Sequence, residues 1–126
     1  MLVGTVIWIV TGVLAVAMFG AGLSKLIGSR QKMIERTPFV ADFSQGAVRA
    51  IGVLEVLGAA GLILPALLGI ATTLAPVAAT AIGLLMVGAV ITHVRRGDGL
   101  AAAAPALVFG ILAAVVAWAR FGPYAF

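Results

Sequence analysis

The first 24 residues of the chain carry no charged side chain, and this run constrains the fold more than any other feature of the sequence. The apolar segment from Leu2 to Ile27 has its first charge at Lys25. It is long enough to cross a bilayer as a helix, which requires roughly 20 mostly apolar residues. A cleaved signal peptide would begin with a basic segment and have a shorter apolar region. We therefore expect this segment to be retained as a membrane span.

Three further apolar runs cover residues 47–68, 74–94 and 100–119. A composition of 63% apolar and 10% charged residues excludes a water-soluble domain. Short connections between the runs favour antiparallel neighbours. Residues 28–46 are polar, and Pro38 prevents one continuous helix through them. The sequence therefore predicts an all-α integral membrane protein, a single transmembrane domain over residues 1–126, with a four-helix up-down bundle and a short interfacial segment between its first two spans.

Basic residues cluster at one side of the predicted bundle. Seven of the eight Lys and Arg residues flank the first and third loops, and only Arg120 lies at the other side. Because cytoplasmic loops are enriched in Lys and Arg, we expect both loops to be cytoplasmic and both termini to lie outside. The residues assigned to this topological role alone are Arg30, Lys32, Arg36, Arg95 and Arg96. Trp8, Trp118 and Tyr124 are predicted to form an aromatic belt at the outer interface.

The residue inventory limits the chemistry that the chain can perform. The absence of cysteine excludes disulfides, thiolate nucleophiles and Cys-ligated metals, and a single histidine excludes bis-histidine haem ligation. There is no dinucleotide fingerprint, P-loop or nucleophile elbow. We therefore assign no catalytic residue, no metal site and no evident cofactor, and expect that the chain is not an enzyme on its own. The excess of basic over acidic residues is attributed to membrane topology and not to nucleic-acid binding.

Small residues recur at spacings that let membrane helices approach closely. Close backbone contact matters in a bilayer because lipid gives no hydrophobic drive for helix association. The residues predicted for helix packing are Gly20, Ser24 and Gly28 on the first span, Gly52, Gly58 and Gly61 on the second, and Ala106, Gly110 and Ala114 on the fourth. Around the second span, these glycines indicate either a small cavity or ordinary tight packing. Faces left over after the four helices pack would permit a homodimer.

Glu55 is the ionisable residue that membrane topology does not explain. It lies within the second span, roughly 10 Å from the helix end at about 1.5 Å per residue. A charge near a helix centre costs about 2.5 to 3.5 kcal/mol to insert, so such groups face the bundle interior and find partners. Lys25, Arg49 and His93 all come to the same half of an antiparallel bundle. Arg49 is six residues away on the same helix and cannot form an i to i+4 pair, so we expect partners from other helices.

Two interpretations of this polar cluster stay open. In the first, Glu55 forms a buried ion pair with Lys25 or another cation, which fixes the helix register and has no further role. In the second, Glu55, His93 and a nearby cation line a small pocket that hydrogen-bonds a ligand headgroup or relays a proton.

The sequence around these residues resembles the DoxX-like family of small bacterial membrane proteins. The resemblance is carried by RAIGVLEVLGAAGLILPALLGI (residues 49–70), LAPVAATAIGLLMVGAVITHVRRGD (74–98), AAAAPALVFGILAAVVAWARFGP (101–123) and GAGLSKL (20–26). It implies that Lys25, Arg49, Glu55 and His93 are family features. It also implies a bacterial inner-membrane location and an association with quinone-linked redox or oxidative-stress assemblies.

Three functions from different classes follow as expectations. The first is a scaffold or accessory subunit that docks membrane partners, and the second is a quinone-linked redox component, which the resemblance implies. The third is a lipid-binding or solute-permeation protein that uses a polar pocket around Glu55. A quinone or a lipid is the ligand expected in the second and third cases, and membrane lipid surrounds the protein in all three.

Overall fold

The chain folds into four long helices joined by short connections. A computed structural model describes residues 2–126, with α1 at Leu2–Ile27, α3 at Gln45–Leu68, α4 at Leu74–Arg96 and α5 at Leu100–Phe121. A short helix α2, Arg30–Arg36, and a 3-10 helix, Pro38–Asp42, lie between α1 and α3. The four long helices are each long and apolar enough to cross a membrane. The predicted all-α bundle with a short segment between its first two spans is confirmed.

Residues 28–44 form the interfacial segment, in which hydroxyl caps and one proline determine where helices begin. The side chain of Ser29 accepts a hydrogen bond from the Lys32 amide at the start of α2, and Ser44 caps α3 in the same way. Pro38 occupies the first turn of the 3-10 helix, where its missing N–H removes no helical hydrogen bond. The segment therefore turns the chain from α1 into α3 without crossing the membrane.

Two glycine-terminated turns make the remaining long helices antiparallel. Gly69 ends α3 with φ 66°, and Gly97 ends α4 with φ 70°, a left-handed conformation that glycine adopts without strain. The interfacial segment and the Gly97 turn therefore lie at the same end of the bundle, which we call the charged end. The Gly69 turn and the end of α5 lie at the opposite end.

The bundle is a ring of four helices around one apolar core. Helix α1 packs along α3 and α4 packs along α5, while contacts of α3 with α4 and of α1 with α5 close the ring. Each long helix contributes at least one large, fully buried side chain, among them Leu14, Leu62, Ile82 and Val116. Many large apolar side chains of the four long helices point away from the core and are exposed. This distribution is expected for a multi-pass membrane protein, whose outer surface faces lipid.

Small residues bring the helices together, but not at every predicted position. A Cβ placed on Gly52 would lie 2.9 Å from the Gly22 carbonyl oxygen of α1. Gly58 and Gly61 contact Ile82 and Ala78 of α4 in the same close manner, and Gly110 packs against Met86. Ala106 is buried in the core, and a Cβ on Gly28 would clash with its own preceding turn. Gly52, Gly58, Gly61 and Gly110 therefore lie at contacts between helices, whereas the crowding at Gly28 is within its own helix end.

Gly20, Ser24 and Ala114 are instead exposed on the outer surface, so the packing predicted for them is not formed within this chain. Gly22, which lies two positions from both Gly20 and Ser24, makes the close α1–α3 contact in their place. The physical reason is the helix rotation: α1 directs the face with Leu14, Met18 and Gly22 into the bundle, and this turns Gly20 outward.

Arg120 has a structural role at the opposite end. It is 9% exposed, and its Nη1 donates a hydrogen bond of 2.8 Å to the Tyr124 carbonyl oxygen. Its guanidinium lies 4.0 Å from the ring centre of Phe126 and 5.4 Å from that of Trp8. Such cation–π contacts stabilise a cation out of water, which explains how an arginine is buried there. The three aromatic residues predicted as a belt, Trp8, Trp118 and Tyr124, lie near this end.

Candidate functional site

The ion pair between Lys25 and Glu55 joins α1 to α3 at their closest approach. Lys25 Nζ lies 2.7 Å from Glu55 Oε1, and the two side chains are 16% and 4% exposed. Glycines flank the pair on both helices: a Cβ on Gly52 would lie 3.0 Å from the Lys25 Cβ, and a Cβ on Gly22 would lie 3.0 Å from the Glu55 Cβ. The absence of side chains at these two positions leaves room for the ammonium to reach the carboxylate.

A cavity of about 680 Å³ borders this ion pair in the half of the bundle towards the charged end. Its walls come from all four long helices and from the interfacial segment. Most of the lining is apolar and includes Met18, Ile51, Leu85, Ala89, Ala106 and Phe109, and the polar lining includes Lys25, Glu55 and His93. A cavity of this size with few polar groups has the properties of a site for a small amphipathic molecule.

The interfacial segment covers the cavity at the charged end. Phe39 and Phe43 line the cavity and contact one another edge to face, with ring centres 5.9 Å apart. Arg30 Nη2 donates to the Phe43 carbonyl oxygen at 2.7 Å and to the Val40 carbonyl oxygen at 3.5 Å. Val40 is 1% exposed and packs with Met33 and Val48 in a small separate core. Arg30 therefore holds the fold of the segment, in addition to its predicted topological role.

A second polar group ties the interfacial segment to α4 and the α4–α5 turn. Arg96 forms ion pairs with Asp42 of the 3-10 helix and with Asp98, and the Arg96 Nε to Asp98 Oδ2 distance is 3.0 Å. His93 Nδ1 lies 2.8 Å from the same Oδ2. The His93 ring also packs edge to face on Phe39, with ring centres 5.4 Å apart. We call Asp42, His93, Arg96 and Asp98 the clamp.

Electrostatics favour the ionised form of Asp98 in the clamp. The hydrogen bond with His93 is the largest cause and the interactions with Arg96 add to it, so the pKa of Asp98 lies below its ordinary value. His93 is thus held in a fixed ring orientation by a carboxylate on one side and by Phe39 on the other. Since His93 also lines the cavity, the clamp and the cavity share one residue.

The structure brings together three of the four residues predicted as a polar cluster. Lys25 and Glu55 pair directly, and His93 lines the same cavity while pairing with Asp98. Arg49 is exposed in the first turns of α3 and does not line the cavity. The 100° rotation per residue of a helix explains this: Val48 and Gly52 face inward, so Arg49 faces outward.

Sequence reasoning missed Asp42, Asp98 and Phe39. Asp98 follows His93 by five residues across a glycine turn, a spacing that brings the carboxylate back over the last turn of α4. The sequence between His93 and Asp98 contained this signal. The contact with Asp42 had no local signal, because it joins positions far apart in the chain. Within residues 2–126, no group of three His, Asp or Glu side chains could hold a metal ion.

Comparison with known proteins identifies the family of the chain. A search of curated proteins and a search of solved structures gave no significant match. A model of the DoxX-like family matches residues 9–116, which cover most of the chain and include Lys25, Glu55 and the whole clamp. The chain therefore belongs to the DoxX-like family of membrane proteins.

Proposed function

We propose that this membrane protein binds a lipid-soluble amphipathic molecule in the cavity, with the polar group of that molecule against Lys25, Glu55 and His93. The observation that carries the proposal is an apolar cavity of about 680 Å³ with a buried ion pair in its wall. The ion pair is the only buried carboxylate–ammonium contact recorded among residues 2–126, and it lies in the wall of this cavity.

Lys25 offers a ligand a hydrogen-bond donor. An ammonium group has three N–H donors. In Lys25 one of them faces Glu55 and another lies 3.5 Å from the Ala21 carbonyl oxygen. The third is available to a carbonyl, hydroxyl or phosphate oxygen of a molecule in the cavity. Glu55 fixes the ammonium in position, so the donor is oriented before a ligand binds.

His93 supplies the second polar contact. Its Nδ1 is occupied by Asp98, so the free ring atom is Nε2. When Nδ1 carries the proton of a neutral ring, Nε2 accepts a hydrogen bond, and when the ring is protonated Nε2 donates one. Lys25 and His93 are contributed by α1 and α4, so a bound headgroup would bridge the two packed helix pairs of the bundle.

The proposed ligand class includes quinones and lipids. Both carry polar oxygens on an apolar body, which suits a site with few polar groups and an apolar lining. A quinone is the ligand that the family resemblance implies, since its carbonyl oxygens accept hydrogen bonds from donors such as Lys25. An accessory role in a quinone-linked assembly of the bacterial inner membrane stays a proposal that rests on this resemblance. The orientation with the charged end in the cytoplasm is a proposal that rests on the distribution of Lys and Arg.

Filling the cavity tests the proposal. Ala89 lines the cavity on α4, so we expect Ala89→Phe to reduce several-fold the amount of quinone or lipid that stays bound per protein through purification in mild detergent. The measurement is mass spectrometry of the solvent extract. Ala81→Phe is the matched control, because Ala81 is exposed on the outer surface of the same helix and outside the cavity. Equal retention in wild type, Ala89→Phe and Ala81→Phe would contradict the proposal.

A further inference from the structure

We infer that the molecule bound in the cavity arrives from within the bilayer, through an opening beside α4, while the interfacial segment stays closed. The inference rests on the proposed function, and it assigns the ligand to compounds dissolved in the membrane. Two sets of residues carry it: cavity-lining residues that are exposed at membrane depth, and contacts that close the charged end.

The opening lies along α4. Leu84 and Gly88 both line the cavity, and both are exposed, Leu84 by 69%. Leu84 is near the middle of a 23-residue spanning helix, so its exposed surface is at the depth of the hydrocarbon core. A Cβ placed on Gly88 would meet no atom within 4 Å. The cavity therefore continues to the outer surface of the bundle at a depth where the solvent is lipid.

Residues 36–38 of the interfacial segment also line the cavity and are exposed, but contacts of several kinds hold this segment over the charged end. Phe39 and Phe43 cover the cavity, and Arg30 fixes the backbone around Phe43 through a hydrogen bond of 2.7 Å. The ion pair between Arg96 and Asp42 fixes the 3-10 helix to the end of α4. A solute from the aqueous side would have to pass the charged and aromatic side chains of this segment, whereas a membrane-dissolved molecule that enters beside α4 would not.

The route restricts the chemistry of the ligand. A molecule that crosses the hydrocarbon region to reach Leu84 and Gly88 must partition into lipid, which excludes free ions and small polar metabolites. Its polar group must also be close enough to the charged end to reach Lys25 and His93. Amphiphiles that lie in the leaflet at the charged end, with the headgroup at the interface, meet both conditions.

Association kinetics in lipid vesicles test the route. The probe is decylubiquinone, a membrane-dissolved quinone that quenches indole fluorescence, and the reporter is Phe109→Trp in a protein whose Trp8 and Trp118 are replaced by Phe. We expect Gly88→Phe to slow quenching about tenfold or more, because the ring fills the open space beside α4. Gly20→Phe, at an exposed glycine of α1 with nothing within 4 Å, should leave the rate unchanged. If Gly88→Phe does not fold, Gly88→Leu replaces it.

The complementary variant locks the interfacial segment. Since the native chain has no cysteine, Asp42→Cys with Arg96→Cys can be joined specifically by a short bis-maleimide. The inference predicts equal quenching rates before and after crosslinking. Rates that fall on crosslinking but not in Gly88→Phe would overturn the route and leave the proposed function intact. No quenching of the Phe109→Trp reporter in any variant would overturn the proposed function and the route together.

Discussion

Lys25 of α1 lies 2.7 Å from Glu55 of α3, and both side chains are largely buried at the wall of an apolar cavity. The two residues are placed in contact because Gly22 and Gly52 let their helices cross closely. An ion pair in an apolar interior is weak evidence for stability, because removing two charges from water offsets much of their attraction. Because the pair lies at the cavity wall, we propose that it has a second role as an oriented contact for a ligand headgroup.

Removing one member of this pair should destabilise the protein more than removing both. We expect Lys25→Met to lower the free energy of unfolding by about 3 kcal/mol, because it leaves the Glu55 carboxyl buried without a cation. Glu55→Gln should lower the free energy of unfolding by less than Lys25→Met does, since Lys25 is more exposed than Glu55 and its ammonium can extend to the charged end. The measurement is reversible unfolding in mixed detergent micelles.

The double variant Lys25→Met with Glu55→Met is the control for that comparison. Replacing both charges by apolar side chains removes the desolvation penalty, so its stability should return to within about 1 kcal/mol of wild type. Single variants as stable as wild type, or effects that simply add in the double variant, would show that the two side chains are not coupled.

The close contact between α1 and α3 predicts that alanine substitution lowers the stability of the protein at Gly22 but not at Gly20. Gly22→Ala places a Cβ 2.6 Å from the Gly52 carbonyl oxygen, so the helices must separate, and we expect a loss of about 1 to 3 kcal/mol. Gly20→Ala meets nothing within 4 Å and should be neutral or slightly stabilising, since alanine favours helix. Thermal unfolding in detergent distinguishes them, and equal losses in both variants would contradict the observed helix rotation.

The clamp predicts a pH dependence through Asp98. Its pKa is lowered in the folded protein, first by the hydrogen bond with His93 and then by Arg96. A carboxyl with a lowered pKa stabilises the fold above its unfolded pKa of about 3.9, and this contribution is lost as the pH falls through the lower folded value. The unfolding temperature of wild type should therefore exceed that of Asp98→Asn between about pH 5 and pH 7, and the difference should vanish in stronger acid.

Glu35→Gln is the matched control for the acid series. Glu35 is an exposed carboxylate of α2 that lies outside the clamp. Its replacement should leave the unfolding temperature close to that of wild type throughout the series. A difference in unfolding temperature between wild type and Asp98→Asn that grows as the pH falls below about pH 5 would contradict the lowered pKa of Asp98.

The ion pair between Asp42 and Arg96 predicts how firmly the interfacial segment is held. Asp42→Asn removes the charge that pairs with Arg96, so backbone amides of residues 40–43 should exchange hydrogen several-fold faster than in wild type. Hydrogen-exchange mass spectrometry measures this, with the amides in the middle of α3 as the internal reference. Unchanged exchange over residues 40–43 would indicate that Arg30 alone holds the segment.

The sequence predicts the spans well because a bilayer imposes a single length and composition on each of them. It also predicts that Glu55 must find a partner, since an unpaired carboxylate in an apolar span is costly. Helix rotation was harder to predict. All four spans are apolar around most of their circumference, so the pattern that shows which face of a soluble helix is buried is weak here. For this reason Gly22 was missed while Gly20 was chosen.

Long-range polar contacts were the other part that the sequence could not provide. Asp42 and Phe39 appear in the sequence as ordinary interfacial residues, and nothing in their local spacing places them near His93 and Arg96. These contacts form because the connection that contains Pro38 and the turn at Gly97 both lie at the same end of the bundle. The cavity depends on that arrangement as well, because Phe39 and Phe43 cover it.

Photoaffinity labelling in nanodiscs tests the central claim most directly. The probe is a long-chain ubiquinone analogue with a diazirine beside its headgroup, and the labelled peptides are identified by mass spectrometry. The proposed site predicts that labelling concentrates on segments that contain Lys25, Glu55 and His93, and that it falls several-fold in the Lys25→Met, Glu55→Met double variant. Labelling confined to the exposed outer surface, and equal in the two proteins, would contradict a ligand site in the cavity.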